Sequence, residues 1–479
     1  MSRSNNMKKK WFSLTSIFMI AVFLVSSGLS CAKGGSLEAQ RAMQPTTLRF
    51  WTVFDERDAY TDIINAYKQL HPNVTIEFRM LRYEEYEKEL LEAFALDEGP
   101  DVFSIHNTWV SKYQNLLDPM PRTITVPYRK TVGTVKKEEV TELVTQNMYT
   151  PNQMSQLFGD TVAQDTLRLH NVGTEDDPEM VNGIYGLPLS LDTLALYYNK
   201  DILNNAGIAV PAAYWTDIQE QVEKVRRTDA DNNVLVAAVP IGTAKNVERS
   251  FDIMSLLMMQ LKTQMINDKG QVSFHLMPKE LQGNEGITQP PAFNAVEFYA
   301  SFADPLLNSY TWNDTMDNSL QVFMRGQSAY FLGYAYHRPI IEAQAPRLNY
   351  DIAPMLQVQG YENVNFANYW MQSVAGKSEN KSFAWDFIKF MASQEQVKSY
   401  LDKTERPAAL RALYDSQLEN ENIAVFTEQT LTAQTWYRGK DAAAAERIFA
   451  EMIESVNSFA ATAKEAVTLA ADKMSQTYR

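Results

Sequence analysis

The segment Thr47-Leu48-Arg49-Phe50-Trp51 opens the stretch of sequence that decides the fold. Its polar and apolar residues alternate, which predicts a β-strand. A helix is predicted over residues 58–70, where apolar side chains recur with the spacing of one helix face. Pro72 ends this helix because proline cannot continue it, and residues 74–78 alternate again. The order to this point is strand, helix, strand.

The same alternation continues to residue 105. A second helix is predicted over residues 83–96, and Gly99-Pro100 leads into a third strand at residues 101–105. This order favours a mainly parallel sheet covered by helices, which is an α/β fold. Ligands of such sheets bind at the carboxyl ends of the strands.

The rest of the chain is less regular at first. Residues 120–182 mix charges and turn residues with short helical patterns. We treat them as an elaboration of the first lobe, by which we mean the part of the fold that is built on this predicted sheet. Beyond them we predict an extended segment at 193–199, helices at 214–227, 250–267, 381–392 and 441–473, and strands at 235–240 and 328–332.

The amino terminus has the pattern of a bacterial lipoprotein signal. Lys8-Lys9-Lys10 precedes an apolar run and then small residues that end at Ser30, directly before Cys31, which is the only cysteine of the chain. We therefore predict a signal peptide over 1–30, a lipid anchor on Cys31 and a flexible tether over 31–45. An uncleaved anchor and an ordinary signal peptide are the alternatives. The apolar run is shorter than the roughly 20 residues of a spanning helix.

Charge and length exclude several classes of protein. The net charge is −14, and removal of residues 1–30 takes away four basic residues and no acidic one, which leaves −18. Such a surface repels nucleic acid and anionic headgroups, so membrane contact should come from the lipid alone. The mature chain also exceeds the size that one hydrophobic core usually organises, which favours two lobes.

Several segments, in order, resemble the extracellular solute-binding proteins of bacterial ABC transporters, the group similar to maltose-binding protein. The segments are Leu48-Arg49-Phe50-Trp51, Ile63-Ile64-Asn65-Ala66-Tyr67, His71-Pro72-Asn73-Val74, Gly99-Pro100-Asp101-Val102, Gly186-Leu187-Pro188, Leu196-Tyr197-Tyr198-Asn199-Lys200-Asp201, Phe323-Met324-Arg325-Gly326-Gln327-Ser328-Ala329 and Phe387-Ile388-Lys389-Phe390-Met391-Ala392. Together they cover most of residues 46–440. The segment from Gly186 to Asp201 is the most specific of the set.

The resemblance implies a two-lobe fold of the type II periplasmic-binding-protein kind, with a ligand cleft between the lobes. It places the N-terminal lobe at 46–189 plus 371–405, the C-terminal lobe at 190–366 plus 407–479, and crossing segments at 367–370 and 406. It also implies capture of a mono- or oligosaccharide outside the cytoplasm and delivery to an ABC permease. The second crossing reads Ala367-Asn368-Tyr369-Trp370, whereas the family commonly has a glycine pair there.

A sugar site needs flat aromatic rings for stacking and planar amides or carboxylates for paired hydrogen bonds. Such side chains follow predicted strand ends or lie on the crossing segments. The candidate ligand-binding residues are Trp51, Phe54, Asp55, His106, Asn107, Trp109, Asp192, Tyr334, Tyr336, Asn368, Trp370 and Trp436. Burial in a core is the alternative for the tryptophans and tyrosines, helix capping for Asp55, and a structural role for His106.

The hypothesis of an enzymatic function has less support. The five histidines lack the short spacing of a metal site, and a single acylated cysteine cannot supply thiolate ligands. The sequence contains neither GxxxxGK[ST] nor GxSxG. We expect a monomeric receptor that is not an enzyme and has no metal or cofactor. The alternatives are a receptor for a peptide or polyamine, and a glycan-binding or glycosidase lipoprotein without a transport role.

Overall fold

The computed structural model describes residues 37–133, 137–174, 176–284 and 286–479. The predicted signal peptide, Cys31 and the first part of the tether therefore lie outside the described residues. Within these ranges, no helix combines the length and the apolar character that crossing a bilayer requires.

The chain alternates short strands and helices throughout. The strands are β1 (Thr46–Val53), β2 (Val74–Leu81), β3 (Val102–His106), β4 (Thr123–Val132), β5 (Glu138–Asn147), β6 (Leu167–Asn171), β7 (Met180–Ile184), β8 (Leu187–Pro188), β9 (Asp192–Thr193), β10 (Ala195–Asn199), β11 (Arg227–Thr228), β12 (Val234–Val236), β13 (Tyr330–Gly333), β14 (Tyr350–Ala353), β15 (Asn365–Asn368), β16 (Trp370–Val374) and β17 (Ala433–Gln434). The helices are α1 (Leu37–Ala42), α2 (Arg57–Leu70), α3 (Tyr83–Ala95), α4 (Val110–Tyr113), α5 (Pro151–Phe158), α6 (Asp160–Thr166), α7 (Lys200–Asn205), α8 (Trp215–Val225), α9 (Ser250–Gln260), α10 (Pro291–Ala300), α11 (Ser319–Met324), α12 (His337–Gln344), α13 (Lys381–Met391), α14 (Gln394–Thr404), α15 (Tyr414–Leu418), α16 (Ala424–Gln429), α17 (Ala442–Asn457) and α18 (Ala463–Gln476).

The first lobe is built on the sheet β2-β1-β3-β16-β8. Strand β1 is parallel to both β2 and β3, as residues 46–105 predict, whereas β16 is antiparallel to β3 and to β8. The register places Trp370, the first residue of β16, opposite His106, the last residue of β3. Residues that follow β1 and β3 therefore meet the start of β16 at one edge of the sheet.

The second lobe has a different sheet, β13-β10-β14, in which β10 is antiparallel to both neighbours. The expectation of a mainly parallel sheet is thus wrong for this lobe. Strands β13 and β14 run parallel to each other, but β10 lies between them. The predicted strand at 235–240 is reduced to β12 and a single bridge between Ala237 and Ser328.

A third sheet, β17-β15-β9, joins the lobes, and we call it the hinge sheet. Strand β15 pairs parallel with β17 and antiparallel with β9, and each of the two pairings involves two residues of β15. Residue 189 belongs to the hydrophobic core around β1, and residue 194 to the core around β10. The chain therefore passes between the two cores at the hinge sheet.

The elaboration at residues 120–182 contains the hairpin β4–β5, helices α5 and α6, and the hairpin β6–β7. The carboxylate of Asp386 on α13 holds the first hairpin in place. It accepts hydrogen bonds from Tyr128 and Gln146 of the hairpin and from Tyr67, and it lies 3.1 Å from Nε2 of His71. This buried polar cluster fastens the elaboration to the first lobe.

Two predicted segments need correction. The single helix expected over 441–473 is two helices, α17 and α18, because Phe459 adopts the left-handed conformation (φ 56°) and Thr462 and Glu465 form a capping box that starts α18. The helix expected over 250–267 ends at Gln260, two residues before left-handed Lys262 (φ 64°). Within the predicted tether, the good helix formers at Leu37–Ala42 form α1, which lies next to β5.

Gly242 offers a test of local packing in the second lobe. Its φ is +111°, and an added Cβ would lie 2.7 Å from the backbone nitrogen of Ala303. Gly242→Ala is expected to lower the free energy of unfolding by about 3 kcal/mol, because strain and crowding add. Gly270→Ala is the matched control, since its φ is +74° and no atom of the described residues lies within 4 Å of an added Cβ. It should cost about 1 kcal/mol. Equal losses in urea unfolding would contradict the crowding argument.

Candidate functional site

A narrow space separates the first lobe from the second next to the hinge sheet. Its walls include the residues after β3, the start of α9 and the start of α17. The residues that line it are His106, Asn107, Thr108, Arg249, Phe251, Asp252, Phe366, Ala367, Asn368, Thr435, Trp436, Tyr437, Ala442 and Glu446. Its volume is about 20 Å³, close to the minimum that one water molecule needs.

Three aromatic rings at the edge of the first-lobe sheet form what we call the aromatic platform: Phe54, Tyr83 and Trp370. Phe54 stacks on Tyr83 at 5.7 Å with an interplanar angle of 17°. Trp370 meets both rings edge-on, at 5.9 and 6.2 Å. Phe54 is 55% exposed and has a φ of 67°, a conformation that is rare and costly for a bulky residue. The backbone thus holds an apolar ring out towards solvent.

Trp370 is itself held in place by further rings. His106 and Trp109 contact it edge-on at 5.2 and 5.3 Å, and Tyr86 does so at 5.9 Å. Tyr86 in turn donates to the carbonyl of Ser104 on β3. The centre of the aromatic platform is therefore fixed by the sheet below it.

Polar side chains connect the lobes across the space, and we call this set the interlobe network: His106, Asn368, Asp252, Tyr334 and Arg249. On the hinge sheet, Asn368 Oδ1 lies 3.2 Å from His106 Nε2, and Asn368 Nδ2 donates to Asp252 Oδ2 at 3.4 Å. Tyr334 donates to the same carboxylate oxygen at 2.7 Å, and Arg249 binds both oxygens at 2.8 and 3.1 Å. Asp252 is the acceptor that all three donors share.

His106 is held in the neutral form. The backbone N–H of Thr108 points at Nδ1, so Nε2 carries the proton and donates to Asn368. Burial, reinforced by the charge of Arg249, lowers the pKa of His106 to about 4. A neutral imidazole between two lobes is a fixed donor and not a titrating switch at neutral pH.

The low pKa of His106 predicts acid sensitivity. In the unfolded chain His106 binds a proton below about pH 6.5, whereas in the folded chain it does so only near pH 4. The free energy of unfolding therefore falls as the pH falls from about 6.5 to about 4. Urea unfolding measures the effect. Between pH 7 and pH 4.5, the free energy of unfolding should fall by about 2 kcal/mol more for the wild type than for His106→Gln. Parallel pH dependences would contradict neutral burial.

The two predicted carboxylates lie outside the interlobe network. Asp55 forms an ion pair with Arg406 at 2.7 Å and accepts from Tyr400, also at 2.7 Å. Asp192 on the hinge sheet accepts the backbone N–H groups of Ala335 and Tyr336 at 3.0 and 3.3 Å. Burial raises the pKa of Asp192 to about 6, although these hydrogen bonds oppose the rise. Asp192 therefore fixes the turn that carries Tyr334 and Tyr336.

The remaining candidates are more deeply placed. Tyr334 is buried and stacks on Tyr336 at 5.7 Å, while Trp436 stacks on Phe449 and donates to Ser255. Asn107 is buried and donates to Asp165 at 3.1 Å. Trp51 lies in the first core with the guanidinium of Arg79 over its ring at 4.7 Å, and it lines neither the interlobe space nor the aromatic platform.

The structure thus brings five of the twelve candidates together at the first-lobe sheet and adds residues that the sequence did not single out. Phe54, His106, Trp109, Asn368 and Trp370 surround one edge of the sheet. The additions are Tyr83, Arg249, Asp252, Glu446 and Asp165. Tyr83 follows the end of β2 and could have been found by the rule that identified His106, but nothing in the sequence marks Arg249 or Asp252. Among the described residues, no cluster of three or more His, Cys, Asp or Glu side chains is arranged to hold a metal ion.

Comparisons with known proteins agree on the fold. Curated relatives in Brucella abortus and Brucella suis, whose names mention binding but no ligand, are 23% identical over 266 residues, 52% of this chain and 57% of theirs. The chain therefore matches little more than half the length of these relatives. Two solved structures are similar over 91% of the chain and 99% of their own: the cyclic α-maltosyl-1,6-maltose-binding protein of Arthrobacter globiformis (TM-score 0.67, 14% identity) and an ABC substrate-binding protein of Listeria monocytogenes in complex with cycloalternan (TM-score 0.65, 15% identity).

These structures show the fold alone at such low identity, and they confirm the two-lobe α/β architecture. The family model described as bacterial extracellular solute-binding protein matches residues 54–398, which is most of the chain. This range begins at Phe54 and includes every strand from β2 to β16, among them the hinge strands β9 and β15. The chain belongs to the bacterial extracellular solute-binding protein family.

Proposed function

We propose that this extracytoplasmic receptor captures a mono- or oligosaccharide between its lobes and delivers it to the permease of an ABC importer. The aromatic platform is the observation that carries the proposal. Sugar rings offer one face of C–H bonds to an aromatic surface. Phe54 and Tyr83 present such a surface next to Trp370, which contacts His106 of the interlobe space. The two similar structures named above are of a maltosyl-maltose-binding protein and of a complex with cycloalternan, which supports the same class of ligand.

The hydroxyl rim of a sugar requires polar partners next to the platform. Asn368 and Asp252 supply an amide and a carboxylate. Glu446 also lines the space, lies 3.8 Å from the Arg249 guanidinium and has a pKa that burial raises. We propose that these three side chains and Asn107 bind hydroxyl groups, while the platform stacks on the ring. His106, Trp109, Asp192, Tyr334, Tyr336, Trp436 and the Asp55–Arg406 pair hold these groups in position.

Capture requires the lobes to separate. A space of about 20 Å³ is far smaller than the roughly 300 Å³ or more of a small-molecule site. The interlobe network crosses this space directly, so a sugar enters only when the hydrogen bond between Asn368 and Asp252 is broken or rearranged. The hinge sheet, with its two short pairings, is the element that would bend.

The amino-terminal sequence indicates where the receptor is held. The amino-terminal pattern supports cleavage before Cys31 and a lipid on that residue, which would anchor a monomeric receptor to the cell membrane outside the cytoplasm. The lobe boundaries proposed are 46–189 plus 371–405 and 190–366 plus 407–479. Mass spectrometry of the membrane-extracted protein tests the anchor, because a diacylglyceryl group on Cys31 adds a defined mass.

Calorimetry against a panel of mono- and oligosaccharides tests the proposed function, with thermal unfolding as the second measurement. A sugar that binds the native state raises the melting temperature by mass action. Binding of a peptide or a polyamine, with no response to any sugar, would overturn the ligand class. Release of hydrolysis products from an oligosaccharide would show that the protein is a glycosidase instead.

A further inference from the structure

Asp165, at the end of α6, is a buried carboxylate that contacts several parts of the chain near the hinge sheet. It is 1% exposed and accepts hydrogen bonds from Asn107 at 3.1 Å and from Tyr369 at 2.9 Å. It also accepts from Thr435 at 2.7 Å and forms an ion pair with Arg438 at 3.0 Å. Asp165 thus joins the elaboration of the first lobe to residues at the end of β3, next to β15 and just after β17.

The partners of Asp165 have further capacity that the protein does not use. Asn107 Oδ1 and Arg438 Nε are buried atoms that find no hydrogen-bond partner among the described residues. The Asn107 amide donates through Nδ2 to Asp165, so its orientation leaves Oδ1 as the free acceptor. Asn107 and Thr435 both line the interlobe space. An unpaired buried amide oxygen is costly unless another donor satisfies it.

We infer that Asp165 is a positioning residue for the solute site, an inference that rests on the proposed function. Its carboxylate orients the Asn107 amide so that Oδ1 accepts a hydroxyl group of the sugar, and through Thr435 and Arg438 it fixes the end of the hinge sheet. The elaboration at residues 120–182 therefore takes part in solute recognition through a side chain that does not line the space itself.

The test compares Asp165→Asn with Asp386→Asn in the full chain. Both residues are buried carboxylates of the first lobe with several donors, but Asp386 holds the β4–β5 hairpin, away from the interlobe space. The readouts are urea unfolding, hydrogen–deuterium exchange of the amides of residues 433–438 without sugar, and calorimetry with a sugar that the wild type binds. Asp165→Asn should raise the amide exchange rate at residues 433–438 about tenfold and weaken sugar binding about tenfold. Asp386→Asn should lower stability and leave both of the other readouts within about twofold of the wild type.

Thr435→Val serves if Asp165→Asn does not fold, because it removes one donor and keeps the ion pair with Arg438. It should change both readouts in the same direction by about threefold. If amide exchange at residues 433–438 is unchanged in the folded variants, Asp165 does not fix the end of the hinge sheet. If exchange is faster but sugar affinity is unchanged, Asp165 does not orient Asn107 for the sugar. If the wild type binds no sugar, the proposed function fails, while the exchange measurement still decides the role of Asp165 at the hinge.

Discussion

Asp252→Ala is expected to lower the free energy of unfolding by about 3 kcal/mol. The carboxylate of Asp252 is the common acceptor for Arg249, Tyr334 and Asn368. Its removal leaves a mostly buried guanidinium without its close counter-charge and two donors without an acceptor. The loss should be visible in urea unfolding at pH 7, and small-angle X-ray scattering should show a larger radius of gyration, because the second lobe loses its hydrogen bond to Asn368, which links it to His106 of the first lobe.

Asp317→Ala is the matched control, since Asp317 pairs with Arg325 in the same lobe but on an exposed surface. It should change stability by less than about 1 kcal/mol and leave the radius of gyration unchanged. Equal effects for the two variants would contradict a network that bridges the lobes. Asp252→Asn should lie between them, because an amide retains an acceptor oxygen and loses the charge.

Trp370→Ala is expected to weaken sugar binding by about a hundredfold. The indole is the centre of the aromatic platform and contacts Phe54, Tyr83 and Trp109. Its removal deprives Phe54 of support for a strained, exposed conformation, so the stacking surface is lost together with the ring. Calorimetry at a temperature where the variant is fully folded measures the effect.

Trp370→Phe should recover most of the affinity, because an aromatic ring still supports Phe54 and Tyr83. Trp51→Phe provides the comparison within the same lobe. The sequence named both Trp51 and Trp370 as candidates, but the structure packs Trp51 in the first core with Arg79 over its ring. Trp51→Phe should therefore leave sugar affinity within about twofold. A larger loss from Trp51→Phe than from Trp370→Phe would contradict the placement of the site at the aromatic platform.

The edge of the first-lobe sheet could be predicted because strand order follows from local periodicity. Parallel strands β1 and β3 bring their carboxyl ends to one edge, which is why Phe54 and His106 are neighbours of Trp370. The same rule applied to β2 would have identified Tyr83. Periodicity also located α2, α3, α13 and the start of α9 to within one residue.

The polar half of the site could not be predicted because its contacts join distant parts of the chain. Asn368 reaches Asp252 across 116 residues, and Arg406 reaches Asp55 across 351. The apolar pattern of α9 shows that Asp252 is helical and nothing about its partners. The antiparallel sheet of the second lobe was missed for a related reason, since a short apolar strand such as β10 does not reveal the direction of its neighbours.

The size of the space between the lobes has a kinetic consequence. Since it holds no more than about one water molecule, encounters with a sugar are productive only during the fraction of time in which the lobes are apart, and the bimolecular association rate scales with that fraction. Substitutions that loosen the interlobe network should therefore accelerate both association and dissociation. A receptor of this kind balances rapid loading against long retention through the strength of a few hydrogen bonds around Asp252.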